Sequence, residues 1–172
     1  MFVNVEKELF DFKNKVQKNA RRNIKKKSSS RSLQLSVKGS VKKTKKGFEV
    51  PFEMLEYGMY VDQGVKGKGG KKADGTSWKL KKVTTKSFRY KKKKPPIKVF
   101  DKWIVKSGGK MVPRNEKKQF TSRRSLKFAL QKHVFHTGLK TTLFFTRPFE
   151  RQLKILQKNL YDAFGKDILK LL

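Results

Sequence analysis

The chain has 172 residues, no cysteine, and 46 Lys plus Arg against 13 Asp plus Glu, for a formal charge of +33. That length fits one domain with a modest core, and the lack of cysteine excludes disulfides and thiolate metal sites. The charge exceeds what solubility needs and implies an anionic partner, nucleic acid first, because Lys and Arg release its condensed counterions without reading sequence.

From Phe2 to about Lys27, Val5, Leu9, Phe12, Val16, Ala20 and Ile24 recur at three to five positions, which predicts an amphipathic helix. Its acids come early and Lys25, Lys26 and Lys27 late, complementing the helix dipole, and Ser28 to Ser30 end it. This opening alternates acidic and apolar residues, so no signal peptide is expected. No stretch approaches the roughly 18 apolar residues of a membrane span, so a soluble chain is expected.

Leu33, Leu35 and Val37 alternate with polar residues, and after Lys42 to Gly47 the alternation resumes at Phe48, Val50, Phe52 and Met54, which predicts an antiparallel pair of strands. Pro51 lacks an N–H and marks an edge or a bulge there. Residues 65–95 are rich in Lys and Gly with few bulky groups, and read as a loop, β-excursion or contact arm.

Pro95 and Pro96 open a short helix with Ile97, Phe100 and Ile104 on one face and Gly108 and Gly109 at its end. A helix from Ser122 to Thr137 uses Leu126, Ala129, Leu130, His133 and Val134 inwardly and stops at Gly138. Leu143, Phe144 and Phe145 form a buried turn. A last helix starts near Pro148 with the stripe Leu153, Leu156, Leu160, Phe164, Ile168 and Leu171. The fold class is therefore α+β: a long N-terminal helix, a small antiparallel sheet with a long basic excursion, and further helices including a C-terminal one.

Little in the sequence points to chemistry. His133 and His136, three apart on a helix, have no neighbouring carboxylate or thiol to complete a metal site. Glu49 and Glu53 share a strand face and are the residues a magnesium-dependent nuclease would use, but they also fit a solvated face that neutralises nearby Lys. The glycines from Gly64 to Gly75 match neither phosphate-binding fingerprint. No cofactor, metal or catalytic residue is expected. The candidate contacts for DNA or an acidic partner are Lys25, Lys26, Lys27, Lys42, Lys43, Lys45, Lys46, Lys91, Lys92, Lys93 and Lys94. A cluster at Lys79 to Lys82 and the interleaved Trp78, Phe88 and Tyr90 add groups able to stack on unpaired bases or insert into a neighbouring subunit.

Two segments carry a resemblance: Tyr57, Gly58, Met59, Tyr60, Val61, Asp62, Gln63 and Gly64, and then Thr137 through Phe145. With Trp103 on a helix after Pro95 and Pro96, and Gly138 followed by Phe144 and Phe145, their order resembles the tail-completion or neck proteins of tailed bacteriophages. Leu143 stands where that family usually has Pro, and the basic excursion is unusually long. The resemblance implies a single neck-like domain over residues 1–172. Tyr60, Val61, Asp62 and Gly64 would shape a turn, while Trp103, Gly138, Phe144 and Phe145 would pack the core or its return.

It further implies a non-catalytic virion protein made in the host bacterial cytoplasm. Such a protein is a homo-oligomeric ring that touches portal, neck or tail proteins and, without sequence preference, the genome; no membrane is involved. The alternative from charge alone is a non-specific nucleic-acid-binding protein of ribosomal or nucleoid type.

Overall fold

The computed structural model describes residues 2–27, 30–83, 88–106 and 122–170. The fold is α+β, as the sequence predicts, and its residues gather into two compact units: Met1–Asp62 with Thr142–Leu172, and Gln63–Thr141. Residues 65–95 thus belong to the second unit. Among the described residues no helix is long and apolar enough to cross a membrane.

The first unit is built on two long helices, α1 (Val3–Lys27) and α6 (Thr146–Leu169). They run antiparallel: Asn4 meets Asp167, Glu8 accepts a hydrogen bond from Asn159, and Asn23 reaches the Phe144 carbonyl. The predicted stripe of α1 is its buried face, with Leu9, Phe12, Val16, Ala20 and Ile24 all inside. Four phenylalanines, Phe12, Phe52, Phe145 and Phe149, join its middle to the start of α6, with ring centroids 5.4 to 6.0 Å apart. Offset and edge-on pairs of this kind add stabilisation beyond the apolar area they bury.

A broken hairpin lies against this pair. Strands β1 (Lys38–Gly39) and β4 (Phe52–Glu53) are antiparallel, as are β2 (Lys42–Thr44) and β3 (Gly47–Glu49). The ladder breaks at Val50 and Pro51, where proline has no N–H to donate; its carbonyl still accepts from Ser40 at 3.1 Å. Val41, Phe48, Val50 and Phe52 pack on the α1–α6 core.

Two sequence expectations for this unit are corrected. Leu33, Leu35 and Val37 do not form a strand: Arg31–Ser36 is a short helix, α2, whose Leu33 N–H is capped by the Ser30 hydroxyl. Leu33 and Val37, four apart, are buried while Leu35 is 58% exposed. An i, i+2, i+4 apolar run contains an i, i+4 helical pair, so the cap decides between the two.

On α6 the buried face is Phe149, Leu156, Leu160, Ala163 and Asp167, while the predicted Leu153, Phe164 and Ile168 lie on its exposed flank. The apolar stripe is wider than the strip α1 covers. Leu171 lies outside the described residues, as do Lys27's side chain, Ser28, Ser29, Gly108 and Gly109.

In the second unit, α4 (Lys98–Lys106) and α5 (Arg123–Thr137) appear where the sequence places them, but Ala129 and His133, expected on the inner side of α5, are exposed, while Val134 and Phe135 are buried. Ser122 caps α5 and Gly138 ends it. Asp101 on α4 pairs with Arg123 and Lys127 on α5, both at 3.2 Å. Strand β5 (Val65–Lys66) pairs antiparallel with β6 (Gly138–Leu139). The Lys/Gly-rich segment folds around them: Lys66 exchanges backbone bonds with Phe88 and Tyr90, Lys81 N–H donates to the Thr137 carbonyl, and Asp74 closes a turn by accepting from Thr76.

If α2 is a helix, Leu33→Ala costs about 2–5 kcal/mol and Leu35→Ala less than about 0.5 kcal/mol. Urea denaturation of the two variants checks this; equal losses would restore the strand.

Candidate functional site

The helix α3 (Tyr57–Gln63) carries the first motif segment, so Tyr60, Val61 and Asp62 lie in a helix where the resemblance implies a turn after a strand pair. It buries Asp62 in a chain with few acids. In the first unit, Asp62 binds the second segment with both its side chain and its main chain. Its carbonyl accepts from the N–H groups of Thr142 at 3.1 Å and Leu143 at 2.9 Å. Carboxylate Oδ1 accepts from the N–H of Phe145 at 2.7 Å and of Thr146 at 3.4 Å, and Oδ2 accepts from the Thr146 hydroxyl.

The residue before α6, Phe145, offers no side-chain cap, so the free N–H groups at that helix start are satisfied by an acid from α3. Val61 adds its carbonyl, which accepts from the Thr142 hydroxyl at 2.7 Å. Leu143 sits at φ +49° and donates its N–H to Asp62. Proline could do neither, so this backbone does not accommodate a proline at 143.

Phe144 is 1% exposed in the core with Ile24 and Leu33, and Phe145 joins the phenylalanine group, as the resemblance implies. Tyr60 is on the exposed side of α3. In the second unit, Gly64 (φ +80°) and Gly138 (φ +87°) lie where two backbones cross: a Cβ on Gly64 would sit 2.7 Å from the Leu139 carbonyl oxygen, and one on Gly138 2.3 Å from that of Val65.

Trp103 is a correction. It does not close the core but is 41% exposed, edge-on to Phe100. The buried stripe of α4 centres on Phe100, with Ile97 and Ile104 half-buried, and leaves Trp103 on its flank.

A residue that sequence reasoning missed mirrors Asp62. Asp167, near the end of α6, is buried and accepts from the N–H groups of Asn4 and Val5, both at 3.0 Å, and from the Asn4 amide at 2.7 Å. It caps α1 from the partner helix. Burial pushes its carboxyl up, but the Val5 and Asn4 donors, with Lys170 nearby, outweigh this and hold its pKa below the ordinary Asp value. The signal was present as an acid four residues from Ala163 on the inner face of α6.

The basic candidates whose side chains are described are exposed. Lys25 and Lys26 end α1, and Lys42, Lys43, Lys45 and Lys46 form the β2–β3 hairpin and its tip. Lys91 to Lys94 precede Pro95 in the second unit. Among the described residues the ion pairs join Asp101 to Arg123 and Lys127 and involve none of these clusters. The structure brings the two motif segments together; of the Lys clusters, two belong to the first unit and one to the second.

Glu49 and Glu53 are divided by the ladder break, and in register face Lys42 and Lys38 respectively, an arrangement that neutralises local charge. His136 Nδ1 lies 2.6 Å from the Gly69 carbonyl oxygen, which can accept alone, so that nitrogen carries the proton. Trp78 stacks on His136 at 5.2 Å and meets His133 edge-on. Burial, then Lys81 and Lys72, lower the His133 pKa, so it is neutral at pH 7.

No group of three or more His, Cys, Asp or Glu among the described residues is arranged to hold a metal. A cleft between α1 and α6, lined by Glu8, Phe12, Gln152 and Asn159 among others, offers about 10 Å³, room for at most one water. No family model, curated protein or solved structure matches this chain.

Removing the Asp62 carboxylate strands buried N–H groups, so Asp62→Ala costs roughly 1–3 kcal/mol and Asp62→Asn, which keeps one acceptor oxygen, less. Urea midpoints check the order. Asp167 adds a pH dependence. Because its folded pKa is depressed, its stabilisation is complete above the unfolded value of about 3.9 and vanishes as pH falls through the lower folded value. Thermal melts down to that range should show less acid destabilisation in Asp167→Asn than in the parent.

Proposed function

We propose that this chain is a structural protein of a tailed-phage virion, a non-catalytic neck or tail-completion subunit. It works in an oligomeric connector between portal and tail, around the DNA channel. The observation that carries this reading is the Asp62 joint: the two segments on which the resemblance rests, about eighty residues apart, are hydrogen-bonded to each other through main chain and side chain. A joint of this kind, with buried phenylalanines around it, is a packing device.

The charge fits the same role. Lys is a hydrated point charge on a flexible stem, suited to lining a passage for DNA rather than to reading its bases. The second reading, a free non-specific nucleic-acid-binding protein, is favoured by the β2–β3 hairpin. It presents four exposed Lys in five residues, and a two-stranded ribbon fits the major groove.

Mass spectrometry of purified particles, with copy counting, separates the two. The connector reading predicts a fixed stoichiometry in mature particles, and a chain found in cells but missing from particles would end it. For the nucleic-acid reading, duplex affinity should fall with salt, and neutralising the hairpin Lys should flatten the log–log slope by about 0.9 for each phosphate that the chain no longer neutralises. An unchanged slope would remove the hairpin from the interface.

A further inference from the structure

The hairpin covers one flank of the antiparallel helix pair at one end and leaves the other end bare. At the covered end, Phe52 packs edge-on to Phe12, and the Lys13 stem and the Phe52 ring both close on Gly39. At the bare end, Val3 and Phe10, seven residues apart, occupy one flank of α1, and Tyr161, Phe164 and Ile168, at steps of three and four, occupy one flank of α6. In an antiparallel pair these flanks face the same side, and Phe2 joins them by stacking on Phe164 with centroids 5.5 Å apart and planes at 16°. Tyr161 is 83% exposed and Phe164 49%, so among the described residues of its unit this apolar face has no cover.

Charge indicates what covers it. Residues 2–13 hold Glu6, Glu8 and Asp11 against Lys7 and Lys13, whose ammonium lies 5.2 Å from the Phe10 ring centroid, and residues 155–170 hold Asp162 and Asp167 against Lys158, Lys166 and Lys170. The bare end is therefore close to neutral in a chain of +33. A polyanion has nothing to gain there, and an acidic protein finds its counter-charge elsewhere on the chain. Two copies of this chain repel each other wherever Lys clusters meet, and least where this nearly neutral face forms one side of the contact.

We infer that the bare flank formed by Phe2, Val3, Phe10, Tyr161, Phe164 and Ile168 is the surface through which a second copy of this chain docks. The inference deepens the connector reading, on which it rests for the expectation that copies associate. Four partly exposed aromatics and two aliphatics offer about 500 Å² per copy, taking roughly 100 Å² for each aromatic. That is below the roughly 800 Å² of a standard interface, so association in the micromolar range is expected.

Sedimentation of the purified full chain through a concentration series, at high salt to screen the Lys clusters, tests this. The parent should self-associate, and Phe164→Glu and Tyr161→Glu should each weaken that association at least about tenfold, as loss of an interfacial aromatic does. Tyr161 touches so little of its own unit that its variant stays folded by circular dichroism even if Phe164→Glu does not. A parent monomeric into the high-micromolar range, or oligomers unaffected by Tyr161→Glu, would overturn the inference. Oligomers lost in Tyr161→Glu from a chain absent from particles would uphold it and defeat the connector reading.

Discussion

A buried carboxylate must find hydrogen-bond donors, and at Asp62 the available donors are the free N–H groups at the start of a helix more than eighty residues further along the chain. This requirement fixes where α6 begins, and hence which of its faces meets α1. The phenylalanine group depends on that start, since Phe145 and Phe149 reach Phe12 and Phe52 from the first turn of α6. At the far end, Asp167 repeats the device in reverse by capping α1 from α6. Each long helix of the first unit is thus started by an acid from another element, which pins the pair at both ends.

The excess of Lys gives these acids their weight. A chain of +33 has few carboxylates to spend, and placing two of them inside, on helix starts, leaves still less to neutralise the surface. The macrodipole makes those positions favourable for negative charge, and the Lys residues that end α1 complement its other pole. What remains outside in the first unit is a pair of basic clusters, at the end of α1 and on the β2–β3 hairpin, and a nearly neutral apolar flank. In the connector that we propose, the subunits would adhere at the flank and meet phosphate at the clusters.

Local signals made much of the fold legible. α1, α4 and α5 followed from apolar periodicity, and the ends of α5 from Ser122 and Gly138, because caps and stripes are written in adjacent residues. The break in the hairpin was visible in Pro51. The identity of α2 was not, since three apolar residues at alternate positions fit a strand and a helical turn alike until the Ser30 cap is counted. Nor was the rotation of α6: its apolar flank is wider than its buried strip, and the alanine and aspartate that complete the inner face carry no hydrophobic signal.

The site was legible as a set of residues but not as an arrangement. Asp62, Gly64, Gly138, Phe144 and Phe145 were marked by their motifs, yet the bonds that join them depend on partners far away in the chain. Trp103 was misplaced because a family position outweighed the stripe of Phe100 beside it. Asp167 was passed over because an acid on an otherwise apolar face reads as an interruption until its donors are seen.

Amide hydrogen exchange of the unmodified protein probes the Asp62 joint most directly. Thr142, Leu143, Phe145 and Thr146 lie in a turn and a helix start that would exchange quickly if left to themselves. With their N–H groups held by Asp62, all four should exchange as slowly as core amides of α1 such as Val16 and Ala20. Exchange at loop rates in these four, beside a protected α1, would contradict the account.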